Sequence, residues 1–416
     1  MVSTLPRHTL AALSLTLVTV CKLALLFLLL EARLLQPYVG DNAANVYLPT
    51  ADRILATGTY NDSHTLMPSS QAPGYSVFLA LAKLVAPHRY LSLVVCLQML
   101  LDLGIALLLL ALGHRVTSIE AGWWAGVLWL LFPPAVVIST WITSETFFTA
   151  LLVLSMVVWI WSLSQQGKVG LSFAAGLALG VATLVRGTTL LLPPFLFALC
   201  YLRGISRCKL KCTLLLIGMC LVILPWTLRN LHVLGEPIIV QTGLGSVFLQ
   251  GSRSEYFTIE GKRRAYPELF RAAAEEGLAE PTDGKATSRD RWRFALGLRN
   301  YRIRLAQEPW SLFPFAARKF GRLWYGTETG LSYKHLVLGF CSLLVVPLGT
   351  RQLWLLKRDH LYLSVTLSLL ILYFVALHLV CYPECRYMLP VYPFFIFGVG
   401  HTIYLVLRPL RSEQGG

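Results

Sequence analysis

The chain has 416 residues, of which 56% are hydrophobic and only 14% are charged. Soluble domains carry about 25% charged residues, so this composition excludes a soluble globular protein and indicates an integral membrane protein. The net charge of +15 does not indicate nucleic-acid binding. The basic residues stand in short clusters between apolar runs, where they orient membrane spans, and they form no basic stripe interleaved with aromatic residues.

Ten apolar stretches predict membrane-spanning helices, each of which needs about 20 residues to cross a bilayer. In chain order they are 10–35, 90–112, 121–138, 146–163, 169–185, 188–202, 212–228, 335–355, 361–380 and 388–407. The first begins like a signal peptide but ends without a small-residue cleavage site, so we interpret it as a span. The fifth carries small residues suited to close helix contact: Gly170, Ala174, Gly176, Ala178, Gly180 and Ala182.

An eleventh apolar stretch, 73–85, is bounded by prolines and is too short to cross comfortably, so it predicts a helix lying in the membrane interface. With a cytoplasmic N-terminus, this assignment satisfies the positive-inside rule. The cytoplasmic loops then hold Arg115, Lys168, Arg203, Arg207, Lys209, Lys211, Arg351, Lys357, Arg358, Arg408 and Arg411. The short outer loops hold only Arg186 and Arg386, and His64 also faces outside.

The spans and the polar segments between them divide the chain into three parts. Residues 1–228 form an N-terminal transmembrane module that includes a first extracytoplasmic loop at 36–89. Residues 229–334 form a long extracytoplasmic loop or small domain, whose basic residues do not affect orientation because long loops cross largely regardless of charge. Residues 335–416 supply the last spans.

The nine cysteines give two local patterns. Cys208 and Cys212 flank a basic cluster, but no histidine or second cysteine pair follows at zinc spacing, so we expect no metal site there. Cys381 and Cys385 could form an extracytoplasmic disulfide.

The predicted topology places charged residues from five parts of the chain on the outer membrane surface. They are Asp41, Asp52, Arg53, Glu145, Arg186, Arg229, Glu384 and Arg386. Ionisable residues at a membrane are costly and usually have partners or a function, and arginine suits phosphate. Structural roles remain open for each residue singly: Asp41 as the N-cap of an interfacial helix through Leu55, Glu145 as a first-turn acid and Arg186 as a snorkelling residue.

In sequence order these segments resemble the C-type (GT-C) glycosyltransferase superfamily, and most of all the group of protein O-mannosyltransferases and lipid A aminoarabinose transferases. The matching segments run from one end of the chain to the other. They are Gly40-Asp41 with Tyr47 and Ala51 following, Gln71-Ala72-Pro73-Gly74-Tyr75, Ser144-Glu145-Thr146-Phe147, Ala182-Thr183-Leu184-Val185-Arg186, Leu224-Pro225-Trp226-Thr227-Leu228-Arg229-Asn230 and Cys385-Arg386-Tyr387-Met388-Leu389-Pro390-Val391-Tyr392-Pro393.

The resemblance implies an all-α GT-C-type bundle of about 10–12 transmembrane helices, with interfacial helices in the first extracytoplasmic loop and one long extracytoplasmic loop. It maps a catalytic aspartate onto Asp41 and a second acid onto Glu145. Two departures leave the sugar and the acceptor open. The mannosyltransferases pair two acids where this chain has Asp41-Asn42, and the aminoarabinose transferases carry a lysine where it has Ala72.

The resemblance therefore predicts inverting transfer, by a single displacement, from a polyprenyl-phosphate sugar to an acceptor hydroxyl on a glycan, a lipid or a protein. Asp41 would act as general base, and no metal or other cofactor is required. The expected donor-phosphate and substrate residues are Gln71, Glu145, Arg186, Arg229, Asn230, Arg386 and Tyr387. The expected location is a bacterial inner membrane with the site facing the periplasm. The alternative is a transporter or flippase of a lipid-linked saccharide, although the sequence shows no inverted repeat.

Overall fold

The computed structural model of the protein describes residues 6–31, 36–60, 71–163, 168–326, 333–356 and 360–412. His64, Lys357 and Arg358, which the topology argument used, lie outside these ranges. Within the ranges the chain is helical, and its β-type pairing is an isolated bridge between Tyr38 and Trp141. The predicted all-α class is confirmed.

Seventeen α-helices, numbered in chain order, make up the described fold. The first six are α1 (Arg7–Glu31), α2 (Leu48–Thr57), α3 (Pro73–Val85), α4 (Tyr90–Val116), α5 (Ile119–Leu131) and α6 (Pro133–Ser139). The next six are α7 (Glu145–Leu163), α8 (Gly170–Val185), α9 (Leu192–Leu202), α10 (Cys208–Leu234), α11 (Leu244–Gly251) and α12 (Ile259–Glu275). The last five are α13 (Ala286–Gln307), α14 (Leu312–Tyr325), α15 (Tyr333–Leu355), α16 (Leu361–Val380) and α17 (Tyr392–Ser412).

Apolar helices occupy all ten predicted span positions. Seven are long enough by themselves to cross a membrane, and α5 with α6 supplies an eighth crossing if the pair counts as one span bent by 55°. The bend falls where Pro133 and Pro134 open α6, because proline cannot continue the hydrogen-bond ladder of the preceding helix. α8 and the segment 187–202 are apolar but shorter. The protein is therefore a multi-pass integral membrane protein.

Two short helices form the first loop, as predicted. α3 has 13 residues, which span about 20 Å and fall short of the roughly 30 Å hydrocarbon layer. α2 continues a helical segment that begins at Asp41 and includes a π-helical turn over Ala43–Tyr47. An ion pair of 2.5 Å between Lys83 Nζ and Asp52 Oδ1 joins the two helices.

Glycines allow α8 and α10 to pack with their backbones in contact. A Cβ atom on Gly176 would lie 2.1 Å from the carbonyl oxygen of Leu215, and one on Gly180 would lie 2.8 Å from Cβ of Val222. Gly170, at the start of α8, would meet nothing within 4 Å. The predicted close contact is therefore present at two of the three glycines.

Residues 235–326, which we call the polar domain, fold into α11 to α14 around a small core of their own. That core contains Leu249, Tyr256, Leu269, Ala273, Trp292 and Leu296. A second cluster of Phe257, Phe315 and Tyr382 attaches the domain to the end of α16. The predicted boundary after residue 228 falls inside α10, which continues to Leu234.

A buried lysine fastens the polar domain to the spans. The amine of Lys319 in α14 donates to the carbonyl oxygens of Gly251 (2.9 Å) and Val380 (3.1 Å) and to the Tyr301 hydroxyl (3.0 Å). Burial lowers the pKa of Lys319 to about 7. Its three oxygen acceptors act in the opposite direction, because they match the three protons of the ammonium form. The nearby Cys381 and Cys385 are both free thiols, so the disulfide considered from the sequence is not formed.

Candidate functional site

The bridge between Tyr38 and Trp141 brings the two acidic segments together. The amide of Ile142 donates to the carbonyl of Tyr38 at 2.9 Å, and the Tyr38 and Trp141 rings lie 4.8 Å apart. Asp41 lies three residues after Tyr38, and Glu145 lies three residues after Ile142. At about 3.5 Å per residue, each acid is within about 10 Å of chain from the bridge.

Glu145 and two arginines form a buried charged cluster. The Glu145 carboxylate, at the first residue of α7, lies 2.7 Å from Nη1 of Arg186 and 3.8 Å from Nε of Arg386. Arg386 also contacts Glu384 at 2.9 Å. Two acids and two arginines sum to zero charge, which allows the cluster to be buried without an unpaired ion.

Tyr387 packs against both arginines of this cluster. Its ring lies 4.9 Å from the guanidinium carbon of Arg186 and 5.2 Å from that of Arg386. On the other side His378 of α16 stacks on it with ring centroids 5.2 Å apart. The cation–π contacts and the ion pairs hold both guanidinium groups in fixed positions.

Tyr47, in the π-helical turn, connects the first loop to the charged cluster. Its hydroxyl donates to Oε1 of Gln71 at 3.3 Å and interacts with Ser144. Burial raises the pKa of Tyr47, and the nearby Arg186 partly offsets that rise. Tyr47 is therefore a neutral hydrogen-bond donor beside the cluster, and its hydrogen bond holds Gln71 close to it.

Arg229 and Asn230 form a second polar group at the same end of the bundle. Arg229 donates to the carbonyl of Tyr60 and lies over the rings of Tyr60 (5.6 Å) and Trp226 (5.1 Å). Asn230 donates to the carbonyl of Ile238 at 2.9 Å. The Tyr60 hydroxyl donates to the carbonyl of Gln71 at 3.1 Å, which links this group to Tyr47.

The two predicted acids stand in opposite environments. Glu145 is 4% exposed and held in ion pairs, whereas Asp41 is exposed. Among the described residues the Asp41 carboxylate has neither an ion pair nor a capping hydrogen bond. Its side chain thus does not perform the N-cap role considered from the sequence, and its carboxylate is available to a substrate.

Polar residues inside the helix bundle support this site, and they were not predicted from the sequence. Gln98 of α4 accepts from the Tyr75 hydroxyl at 3.0 Å and donates to the carbonyls of Ser139 and Trp141, both at 2.8 Å. One turn further along α4, Asp102 is 1% exposed and interacts electrostatically with Lys22 of α1. Polar side chains inside apolar runs are the signal that marks such positions.

No family model matches the sequence, and no curated protein matches it significantly. Among solved structures, it is similar to the oligosaccharyltransferase AglB from Archaeoglobus fulgidus in complex with an inhibitory peptide and a dolichol-phosphate. The TM-score is 0.55 at 12% identity, over 88% of this chain and 47% of that one. A second AglB structure, tethered to an acceptor peptide, gives 0.55 at 13% identity over 88% and 46%.

The chain has the GT-C fold. It spans about half the length of the AglB chains that it matches. ArnT from Cupriavidus metallidurans bound to undecaprenyl phosphate also aligns, over 94% of this chain and 76% of that one, with a TM-score of 0.41 and 14% identity. At these identities the comparisons establish the fold, and the chemistry must be argued from the residues of this chain.

Proposed function

We propose that the protein is a membrane glycosyltransferase that transfers a sugar from a polyprenyl-phosphate donor to an acceptor hydroxyl. The proposal is carried by the exposed Asp41 carboxylate, which has no ion pair among the described residues. The bridge between Tyr38 and Trp141 connects its segment to the segment that leads to Glu145 in the buried acid–arginine cluster, in a chain with the GT-C fold. The structurally similar AglB is in complex with an inhibitory peptide and a dolichol-phosphate. A lipid phosphate is therefore the donor class that we assign to this chain.

Arg229 is the residue that we assign to the donor phosphate. Arg186 and Arg386 are already occupied by Glu145 and Glu384, whereas Arg229 contacts aromatic rings and a backbone carbonyl. An arginine stacked on rings, with no carboxylate partner among the described residues, retains its charge for a phosphate. Arg186 and Arg386, with Gln71 and Tyr387 close to them, would shape the sugar side of the site, and Asn230 would act beside Arg229.

The proposed reaction is a single displacement at the anomeric carbon. Asp41 accepts the proton of the acceptor hydroxyl while that oxygen forms its bond to the anomeric carbon. The bond from the anomeric carbon to the phosphate oxygen breaks, and the lipid phosphate leaves as a stable anion that needs no general acid. The anomeric configuration inverts. A positioned general base contributes about 10²–10⁴-fold to the rate, and an arginine near the leaving phosphate stabilises its growing charge.

The proposed site faces the non-cytoplasmic side, as in the periplasm of a bacterial inner-membrane protein. The support is the distribution of basic residues. Arg203 and Arg207 lie in the turn between α9 and α10, Lys209 and Lys211 lie in the first turn of α10, and this basic segment is at the far end of α9 from Arg186. The positive-inside rule assigns that turn to the cytoplasm.

Asp41→Asn tests the proposal directly. Asparagine keeps the shape of the side chain but cannot accept the proton, so sugar transfer should fall by at least about 100-fold. The assay uses purified protein, labelled polyprenyl-phosphate sugars and a membrane extract as the acceptor source. The matched control is Asp52→Asn, which removes the exposed ion pair to Lys83 and should leave transfer close to that of the unmodified protein.

Three results bear on the outcome. Loss of transfer with retained donor binding in Asp41→Asn supports the proposal. Near-normal transfer in that variant would exclude Asp41 as the base and make Glu145 the first alternative. Movement of intact labelled donor across vesicles, without any transfer, would identify a flippase and refute the enzyme assignment.

A further inference from the structure

Three cysteines meet at the end of the bundle opposite the charged cluster. The sulfur atoms of Cys200, Cys208 and Cys212 all lie within 4.8 Å of one another. Cys200 and Cys212 are buried, and Cys208 is half-buried. The sequence spacing of Cys208 and Cys212 predicted no metal site, because the third cysteine precedes them on a different helix.

The turn between α9 and α10 creates this arrangement. The carbonyl of Cys200, near the end of α9, accepts from the amide of Ile205 at 3.0 Å, and the carbonyl of Ile205 accepts from the amide of Cys208 at 3.1 Å. Arg207 has a left-handed backbone with φ of 54°, and α10 begins at the next residue, Cys208. Cys208 and Cys212 are four residues apart, so both point from the same face of α10 toward Cys200.

A buried lysine lies beside the three thiols. Lys211 is 5% exposed and directly precedes Cys212 on α10. No carboxylate is among its electrostatic neighbours in the described part of the chain. A buried ammonium group requires an anionic partner, and thiolates are the anions that this pocket can offer.

We propose that Cys200, Cys208 and Cys212 bind a single thiophilic cation of the Zn²⁺ class. At a Zn–S distance of about 2.3 Å, sulfur ligands stand about 3.8 Å apart, so the observed upper limit of 4.8 Å requires only small side-chain movements. Three thiolates around a divalent cation carry one net negative charge, which Lys211 balances. The half-buried edge at Cys208 leaves a position for water or an exchanging ligand.

The chemical setting favours metal binding over a disulfide. Arg207 and Lys209 flank Cys208 in the sequence, and Lys211 precedes Cys212. The basic turn is assigned to the cytoplasm, where thiols remain reduced. Each thiol that coordinates the cation releases its proton, so the affinity should rise with pH until the thiols are ionised.

The test is a titration of the reduced, purified full-length protein in detergent with Cd²⁺, whose thiolate complexes absorb in the ultraviolet. The absorption should saturate at a single Cd²⁺ per chain, and added Zn²⁺ should compete with it. Cys208→Ser should weaken binding by at least about tenfold, since even supporting residues around a metal change its affinity by about 10–100-fold. The matched control is Cys220→Ser, which changes an exposed cysteine on the same helix and should bind normally.

Size-exclusion profiles establish that each variant is folded, and Cys200→Ser replaces Cys208→Ser if the latter aggregates. Selective loss of binding in either cluster variant supports the site. The absence of saturable absorption in the unmodified protein overturns it, as does equal binding by the cluster variants and Cys220→Ser. Since neither readout depends on sugar transfer, the result is independent of the proposed activity.

Discussion

Arg229 and Arg186 carry the same charge but stand in different surroundings, and the two therefore respond differently to substitution. Arg229 lies on aromatic rings without a carboxylate partner among the described residues, whereas Arg186 is 2.7 Å from the buried Glu145. The first is free to bind an external anion. The second keeps a buried acid neutralised, so its loss should be seen mainly in stability.

Arg229→Gln should weaken binding of a polyprenyl phosphate by about tenfold to a hundredfold, because a charge-assisted hydrogen bond contributes about 1.5–3 kcal/mol. Glutamine keeps part of the stem that packs on Tyr60 and Trp226. Binding of the lipid phosphate to purified protein is the measurement. Arg264→Gln, at an exposed arginine of the polar domain, is the control, and equal affinities in the two variants would place the phosphate elsewhere.

Arg186→Met should destabilise the protein by about 3–5 kcal/mol, because it leaves Glu145 buried with only the longer contact to Arg386. Adding Glu145→Gln removes the uncompensated charge and should restore part of the lost stability. Thermal unfolding in detergent reports both variants. Glu145→Gln alone is the reference, and its loss of stability is measured against the unmodified protein. The interpretation fails if adding Glu145→Gln to Arg186→Met lowers the stability by that same amount, because the two residues would then act independently.

At the scale of helices, the close crossing of α8 and α10 requires glycine, which has no Cβ atom, at the contact positions. Gly176→Ala would place a methyl group 2.1 Å from the Leu215 carbonyl oxygen, so the helices must separate, at a cost of about 1–3 kcal/mol. Gly170→Ala is the matched control on the same helix, where nothing lies within 4 Å and alanine is the better helix former. Thermal midpoints should fall for the first variant alone, and similar midpoints would contradict the close crossing.

Gln98 shows how one side chain can connect several segments around the site through its hydrogen bonds. It binds Tyr75 of α3, whose ring packs on Tyr47 at 5.1 Å, and it binds the carbonyls of Ser139 and Trp141 at the end of α6. Trp141 in turn pairs with Tyr38, which leads to Asp41. Both ends of the Gln98 amide are satisfied, and removing a partner from such a buried group costs about 1–3 kcal/mol.

Across the whole molecule, the orientation in the membrane can be tested with introduced cysteines. Glu268→Cys, exposed on the polar domain, should react with an impermeant maleimide in right-side-out membranes. Lys209→Cys, exposed in the first turn of α10, should react only after the membrane is permeabilised. The unmodified protein gives the background from its own thiols. The reverse labelling pattern would invert the topology and move the site to the cytoplasmic side.

Hydropathy and charge placement in the sequence predicted the spans, the interfacial α3 and the gathering of Glu145, Arg186 and Arg386. These features follow from local composition and from the parity of membrane crossings. Three features could not be predicted: that Arg229 has no carboxylate partner in the described part of the chain, the role of Gln98, and the meeting of Cys200 with Cys208. They depend on which helix faces cross and on the left-handed backbone at Arg207, and neither has a periodic signal in the sequence.

The π-helical turn at Ala43–Tyr47 fixes the number of residues between Asp41 and Tyr47. Such a turn is equivalent to an α-helix with one inserted residue, and each residue of an α-helix turns the chain by about 100°. Deleting a single residue here would therefore rotate Asp41 by more than a quarter turn away from its present direction relative to Tyr47. The length of the turn sets this direction, so this stretch should tolerate neither insertions nor deletions.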